Sequence, residues 1–468
     1  MNISANKTII QTNRRNIVLF VTTLGSFLTP FMGSALNVAL PAIGREFNIN
    51  ALLLSWIPTS YLLAAAMTLV PIGRIADMIG RVKVFFGGVI IFSIFSLLCG
   101  VTNNIAFFLV WRAIQGLGGA MIFGTSVAIL TTKFPVHDRG RILGINVAGV
   151  YLGLSLGPFI GGFFTQHFGW RSIFYLNALF GAVMLLLMGL FIRFEKLEKR
   201  AEPFDYLGIL IYSPALFFLM YGFSLLPQVL GFILLLIGVV FIYFFVKWES
   251  KVIMPLLNIN LFKNNPVFFF SNLAALINYS ATSAVAFLLS LYLQYLKDFS
   301  PQKAGMILIA QPLTMTFFSP FAGRLSDRIQ PRIIASAGMG LTSVGLILLS
   351  FIGKNTGIYL IVIYLLILGL GFAFFSSPNT NAVMSSVISE YYGVASSTLA
   401  TMRLLGQMSS MGFVMLIFSI TIGKAKITPQ IYPSFLQTLK IAFYLFTGLC
   451  IFGVFASLKR GRLTRKSD

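Results

Sequence analysis

The chain has 468 residues, 57% of them apolar and only 10% charged, with 34 Lys and Arg against 12 Asp and Glu. An average soluble domain carries about a quarter charged residues, so a soluble globular protein is excluded. A nucleic-acid partner for the net charge of +22 is excluded too, because the basic residues sit in short connections between long uncharged stretches.

Uncharged stretches run over residues 16–44, 47–73, 84–111, 113–132, 142–170, 172–192, 206–246, 264–296, 304–323, 333–353, 355–389 and 441–458, with one more at 391–423 interrupted by Arg403. Each reaches or approaches the ~20 residues of a bilayer-spanning helix. The first is too long for the apolar region of a signal peptide and reads as a retained span. The stretch 206–246 would be about 61 Å as one helix, twice a ~30 Å hydrocarbon core. Pro227-Gln228 at its centre splits it, which predicts 14 helices. An even number puts both termini on one side of the membrane. That side receives 24 of the basic residues and the other side 8, so both termini are predicted to be cytoplasmic. Cys99 and Cys450 lie in apolar spans and build no disulfide framework.

The segment Gly73-Arg74-Ile75-Ala76-Asp77 returns as Gly323-Arg324-Leu325-Ser326-Asp327, an offset of 250. Gly116-Leu117-Gly118 returns as Gly369-Leu370-Gly371, and Gly140 as Gly393, both at an offset of 253. The predicted fold is therefore an all-α membrane protein of two pseudo-symmetric six-helix bundles, residues 1–200 and 251–468, with two inserted helices in 201–250. Such paired bundles around a midplane cavity are the architecture of alternating-access carriers.

The connection after the second span reads Gly73-x-x-x-Asp77-x-x-Gly80-Arg81-x-Lys83, and its repeat carries Gly323, Asp327, Arg328 and Arg332. Positive-inside charge explains the basic residues but not the acid or the glycines. Glycines allow a tight turn, and a carboxylate at this membrane edge can bind neighbouring arginines and the positive end of a nearby helix. The expectation is a conformational latch. In an outward-open state Asp77 should face the start of the thirteenth helix near Gly393 to Ser396, and Asp327 the start of the fifth near Gly140.

On this loop the sequence resembles the major facilitator superfamily, and with 14 spans it resembles the drug:proton antiporter branch that includes EmrB/QacA-like exporters. Further segments are similar to family motifs. They are Arg112-x-x-Gln115-Gly116-x-Gly118-Gly119-Ala120, Gly153-x-x-x-Gly157-Pro158-x-x-Gly161-Gly162, Trp170-Arg171-x-x-Phe174-x-x-Asn177 and Arg403-Leu404-Leu405-Gly406. The resemblance implies a secondary transporter of the cell membrane, an exporter of hydrophobic or amphipathic molecules. Read without the family, Gly149, Gly153 and Gly157 bare one face of the fifth span for close helix packing, and Pro158 bends it.

Arg112 and Arg403 lie inside spans, where a charge costs several kcal/mol and needs a cavity or a partner. Gln115 and Gln407 extend each polar face by about one turn. Two readings stand open: arginines held by backbone carbonyls, or arginines lining a substrate and coupling route. The resemblance also implies an acid in the first span, nine residues before the proline of Asn37-Val38-Ala39-Leu40-Pro41, but that position is Met32. All twelve acids fall in loops or at span edges, so no carboxylate is expected at mid-membrane. The uncharged polar residues Asn37, Asn146, Asn272, Asn278, Gln311, Asn379 and Asn381 are candidates for cavity lining or interhelical hydrogen bonds.

A membrane enzyme would need a nucleophile and base, or metal ligands, at membrane depth. His137 and His167 sit in loops on opposite sides and no metal spacing occurs, so neither enzyme, cofactor nor metal is expected. A receptor or scaffold on the same fold would carry a sizeable extramembrane domain, and the connections are short. The expected partners are the lipid bilayer and a small-molecule substrate, with protons as the candidate coupling ion and the monomer as the working unit. The competing reading within transport is uptake or exchange of an organic anion or neutral solute.

Overall fold

Fourteen helices long and apolar enough to cross a bilayer occur among the residues described by the computed structural model, namely 2–135, 138–191, 205–252, 255–257, 259–388, 391–423 and 425–461. They are α1 (Arg15–Glu46), α2 (Ala51–Ile79), α3 (Arg81–Val101), α4 (Ile105–Lys133), α5 (Arg141–Phe168), α6 (Arg171–Phe191), α7 (Tyr206–Leu225), α8 (Val229–Glu249), α9 (Pro266–Leu296), α10 (Pro301–Arg328), α11 (Pro331–Ser350), α12 (Ile358–Ser385), α13 (Tyr392–Thr421) and α14 (Pro429–Lys459). The expected boundary at 200/201, His137, and the acids Glu195, Glu198, Glu202, Glu390 and Asp468 lie outside the described residues.

Short polar side chains start the helices by accepting the first free backbone N–H groups. Asn50 accepts from Leu53 N at 2.8 Å, Asn104 from Ala106 N at 2.8 Å, Asn265 from Phe268 N at 3.0 Å and Ser300 from Lys303 N at 3.3 Å. Pro266, Pro301 and Pro331 occupy first-turn positions, where the missing N–H costs nothing. Between α2 and α3 the whole turn is Gly80 at φ +112°, a conformation that a side chain strains. The turn Leu226–Gln228 divides α7 from α8, where Pro227 predicts it. Several boundaries differ from the sequence expectation: Gly73 and Asp77 lie in α2 and Gly323, Asp327 and Arg328 in α10 rather than in connections, and His167 is in the last turn of α5, because these helices continue past the membrane edge. Lys440 lies within α14 rather than ahead of it, exposed on the helix surface, because its flexible stem can carry the ammonium to the outer interface.

The duplication is visible in packing. Gly116 of α4 lies on the backbone carbonyl of Tyr61 in α2, and Gly369 of α12 lies on that of Gln311 in α10. Gly118 meets Phe92 N of α3, and Gly371 meets Thr342 N of α11. Gly153 of α5 rests on Phe27 O of α1, and Gly406 of α13 on Leu276 O of α9. In each match the partners are displaced by about the two offsets of the sequence repeat, so the glycines mark equivalent helix crossings in both halves. Small residues let membrane helices approach closely, and dispersion and interhelical hydrogen bonds then hold them.

The inserted pair leans on both halves. Tyr212 Oη of α7 donates to Ala66 O of α2 at 3.1 Å, and Phe223 of α7 packs edge-on against Phe413 of α13 with ring centroids 5.9 Å apart. α8 buries only Gly231, Gly238, Phe245 and Glu249, and turns Leu230, Phe232, Leu236, Val239 and Phe244 outward, so it is the lipid-facing member.

Candidate functional site

The halves meet on the outer side. Gln294 Nε2 of α9 donates to Val38 O of α1 at 2.8 Å, Tyr295 Oη to Pro41 O at 3.4 Å, and Lys426 Nζ to Asn48 Oδ1 at 2.6 Å. Gln302 N donates to Gln166 Oε1 at 3.3 Å, and the Ser155 and Thr316 hydroxyls meet at 3.0 Å near the membrane middle. A Cβ on Gly162 of α5 would stand 2.5 Å from Pro301 O, and one on Gly305 of α10 would run into Pro158 O. At the other membrane face, a Cβ on Gly73, Gly144 or Gly393 would meet nothing within 4 Å. These hydrogen bonds and glycine contacts close the outer side between the halves.

In this state both latch acids are held within their own half. Asp77 Oδ1 pairs with Arg81 Nε at 2.8 Å, and Arg81 also donates to Ala128 O of α4 at 3.3 Å, so it ties α2, α3 and α4 together. Lys83 is exposed. In the repeat, Asn381 Nδ2 donates to Asp327 Oδ1 at 3.2 Å and to Ser326 Oγ at 2.8 Å; Arg328 is exposed and Arg332 half-buried. The surroundings of Gly140, expected opposite Asp327, lie outside the described residues.

The Gly153 to Gly162 motif of α5 divides its glycines between two tasks. Gly153, Gly157 and Gly161 fit against Phe27, Ser34 and Ala35 of α1, within the N-terminal half. Gly162 instead fits α10 across the gap between halves. At the outer end of the same half, Trp170 Nε1 donates to Glu46 Oε2 at 2.6 Å and Arg171 pairs with the same carboxylate. Asn177 of that motif donates to Met32 Sδ at 3.2 Å. Met32 is therefore fully buried between α1 and α6 and does not reach the interior in this state.

Arg112 is 1% exposed and finds its partners inside its own half. It donates to Ile57 O at 3.4 Å and to Gln115 Oε1, and its guanidinium carbon lies 4.7 Å from the centroid of the Tyr61 ring. Gln115 Nε2 in turn donates to Ser96 Oγ at 2.6 Å. The glycines of this motif explain the fit: Gly116 and Gly119 leave room for Tyr61, which covers the arginine.

Arg403 is placed differently. It stands about 16 Å along α13 from its cytoplasmic end and is half-buried. Its Nη2 donates to Thr380 Oγ1 of α12 at 2.7 Å, its guanidinium lies 5.8 Å from the Tyr279 ring of α9, and its Nε has no partner. Tyr151 of α5, in the other half, is near enough to Tyr279 to act on it electrostatically. Asn37 and Gln407 are half-buried. Asn278 is fully buried with both amide atoms unpartnered. Asn146 bridges α5 to Ser26 of α1, and Asn379 accepts from Arg460, so these two serve helix packing. Among the described residues no carboxylate lies at mid-membrane and no group of metal-binding side chains occurs.

Sequence reasoning missed Tyr61, Tyr279 and Thr380, which carry no motif of their own. It also gave Arg460 no role beyond the positive charge of the cytoplasmic side. The structure buries Arg460 against Ser457, Ser271 and Asn379, and burial lowers its pKa to about 9.

A family model described as Major Facilitator Superfamily matches residues 22–411 and 268–467. The riboflavin transporter RibZ of Clostridioides difficile is 30% identical over 458 residues, covering 96% of this chain and 98% of that protein. The multidrug resistance protein Stp of Mycobacterium tuberculosis is 30% identical over 86% of this chain and 75% of its own length. The tetracenomycin C resistance and export protein of Streptomyces glaucescens is 28% identical over 81% and 71%. Among solved structures, a bacterial homologue of the human lysosomal transporter Spinster, in an inward-facing and unoccupied conformation, superposes with a TM-score of 0.66 at 16% identity, covering 96% of this chain and 97% of that one.

Proposed function

This chain belongs to the major facilitator superfamily and is a multi-pass membrane transporter, and from that premise we propose that it exports neutral or anionic amphipathic small molecules across the cell membrane by alternating access. Units 1–200 and 251–468 rock about an interior site, with the pair in 201–250 bracing α2 and α13. The observation that carries the substrate class is Arg403, a half-buried cation between α9, α12 and α13 with its Nε unpartnered and no carboxylate beside it among the described residues. At about 6 Å and an effective dielectric constant near 20, a substrate cation beside that guanidinium is disfavoured by roughly 3 kcal/mol, and a carboxylate or strong acceptor is favoured. Tyr279 and Tyr151 add aromatic surface for a flat apolar body.

Export as the direction is supported by the α5 motif and by relatives named for drug resistance and export. A second reading, transport of a neutral solute of the riboflavin type, is favoured by the relative that matches almost end to end. Without a mid-membrane acid, proton coupling would have to run through groups elsewhere.

Purified protein in liposomes tests the proposal, with flavins, anionic amphiphiles and lipophilic cations offered in turn, with and without a pH gradient. The expected result is saturable transport of neutral or anionic compounds that weakens at least tenfold in Arg403→Ala. Saturable transport of a lipophilic cation that organic anions do not inhibit and Arg403→Ala does not improve overturns it.

A further inference from the structure

Two buried carboxylates outside the site described above lie at the cytoplasmic end of the inserted pair. Asp205 caps the start of α7: its Oδ1 accepts from Gly208 N at 2.9 Å and from Trp248 Nε1 at 2.9 Å. Glu249, the last residue of α8, accepts from Leu257 N at 3.0 Å through Oε2. The two residues are 9% and 2% exposed. Their remaining oxygens, Asp205 Oδ2 and Glu249 Oε1, are buried with no donor. Both crowd over Gly208, where a Cβ would collide with each, so the free oxygens point at one another.

Two buried carboxylates cannot both stay ionised at such range without a cation. Of the charged and titratable groups on the packed elements, Lys247 leans toward the Tyr243 ring, Lys251 and Tyr206 are exposed, and Tyr212 donates to Ala66 O. Arg74 of α2 is half-buried and Lys263, on the segment leading to α9, is exposed. Among the described residues, Asp205 is the one charged group acting on Glu249, beside the N–H groups of Leu256 and Leu257.

We propose that Asp205 and Glu249 hold a single proton between them and form a proton-binding site at the cytoplasmic end of the inserted pair. With the proton in place, an O–H of one carboxyl donates to the free oxygen of the other, and Glu249 keeps the Leu257 N–H. The proton exchanges with cytoplasmic water. Its loss leaves two anions face to face and drives Glu249 away from Leu257. That contact ties α8 to the segment entering the C-terminal half, so the brace between the halves becomes proton-dependent.

Infrared difference spectroscopy of the full chain in lipid, titrated from neutral to alkaline pH, tests the site. One protonated carboxyl C=O band should be present at neutral pH, disappear on alkalinisation, and be absent in both Glu249→Gln and Asp205→Asn. Glu249→Gln keeps an acceptor for Leu257 and a donor for Asp205. Hydrogen exchange at residues 255–257 should therefore rise with pH beyond its intrinsic base-catalysed increase in the parent, and not in that variant. A band that survives in both variants, no such band at neutral pH, or a parent and Glu249→Gln with the same exchange profile overturns the proposal.

Discussion

Gly162→Ala should act on the transport cycle rather than on the fold. The added Cβ would stand 2.5 Å from Pro301 O and 3.0 Å from Gln302 Cα, both backbone atoms of the other half. Ordinary contact begins near 3.4 Å, so the halves would have to part by close to 1 Å at this point. Overpacking of this kind costs about 1–3 kcal/mol, and here it falls only on the state closed outside, because Gly162 and Pro301 belong to different halves. The equilibrium should move toward the outward-open state by about 5- to 150-fold. A cysteine at Gly144 or Gly393, facing open space on the cytoplasmic side, reports the change. Cys99 and Cys450 are fully buried and leave the background low. In inside-out vesicles the labelling rate at either reporter should fall with Gly162→Ala. Gly161→Ala is the control: its Cβ would meet Ala35 Cα at 2.7 Å within the same half, so it should lower Tm in every state without shifting labelling. Equal labelling in the two variants would refute the division of the α5 glycines.

Asp77→Asn should leave Tm nearly unchanged, since the exposed Asp77–Arg81 pair contributes at most about 1 kcal/mol. If the carboxylate moves to the start of α13 when the protein opens outward, its loss should raise reporter labelling roughly two- to fivefold, and a fall in labelling would refute the latch. Arg112→Leu should lower Tm by stranding Gln115, whereas Arg112→Leu with Gln115→Leu should recover most of the loss, because the equivalent positions of the other half are Leu365 and Leu368, 0% and 1% exposed. A double variant no more stable than the single one would show that the cation itself is needed there.

The spans, their number and the internal repeat were legible because each rests on a local requirement: some twenty apolar residues to cross a bilayer, and a glycine wherever two backbones touch. Gly116, Gly118, Gly153 and their counterparts announce helix crossings without needing their partners to be known. The partners themselves were not legible. Tyr61 is one of 16 tyrosines, and nothing near it in sequence signals that its ring covers Arg112. Asp205 and Glu249 stand at the edges of two spans, where carboxylates are ordinarily solvated, and only the fold brings them together. Which oxygens and glycines face the other half depends on the conformational state, which is a property of the assembled bundles rather than of any segment.

The two membrane arginines illustrate how the repeat can separate structural from functional charge. At the repeat offset of 253, Arg112 corresponds to Leu365 and Arg403 to Val150, so neither cation has a counterpart in the other half. The shared glycine crossings hold equally well around leucine and valine, and the bundle architecture therefore does not require either charge. Arg112 is nonetheless almost fully buried within its own half, beside Tyr61, Gln115 and the Ile57 carbonyl, and so presents little surface to a substrate in this state. Arg403 retains an unpartnered Nε and a half-buried position beside the Tyr279 ring. A charge that the repeat does not require and its neighbours satisfy only in part is the better candidate for a functional role. Of the two arginines, Arg403 is therefore the one the proposed function assigns to the substrate route.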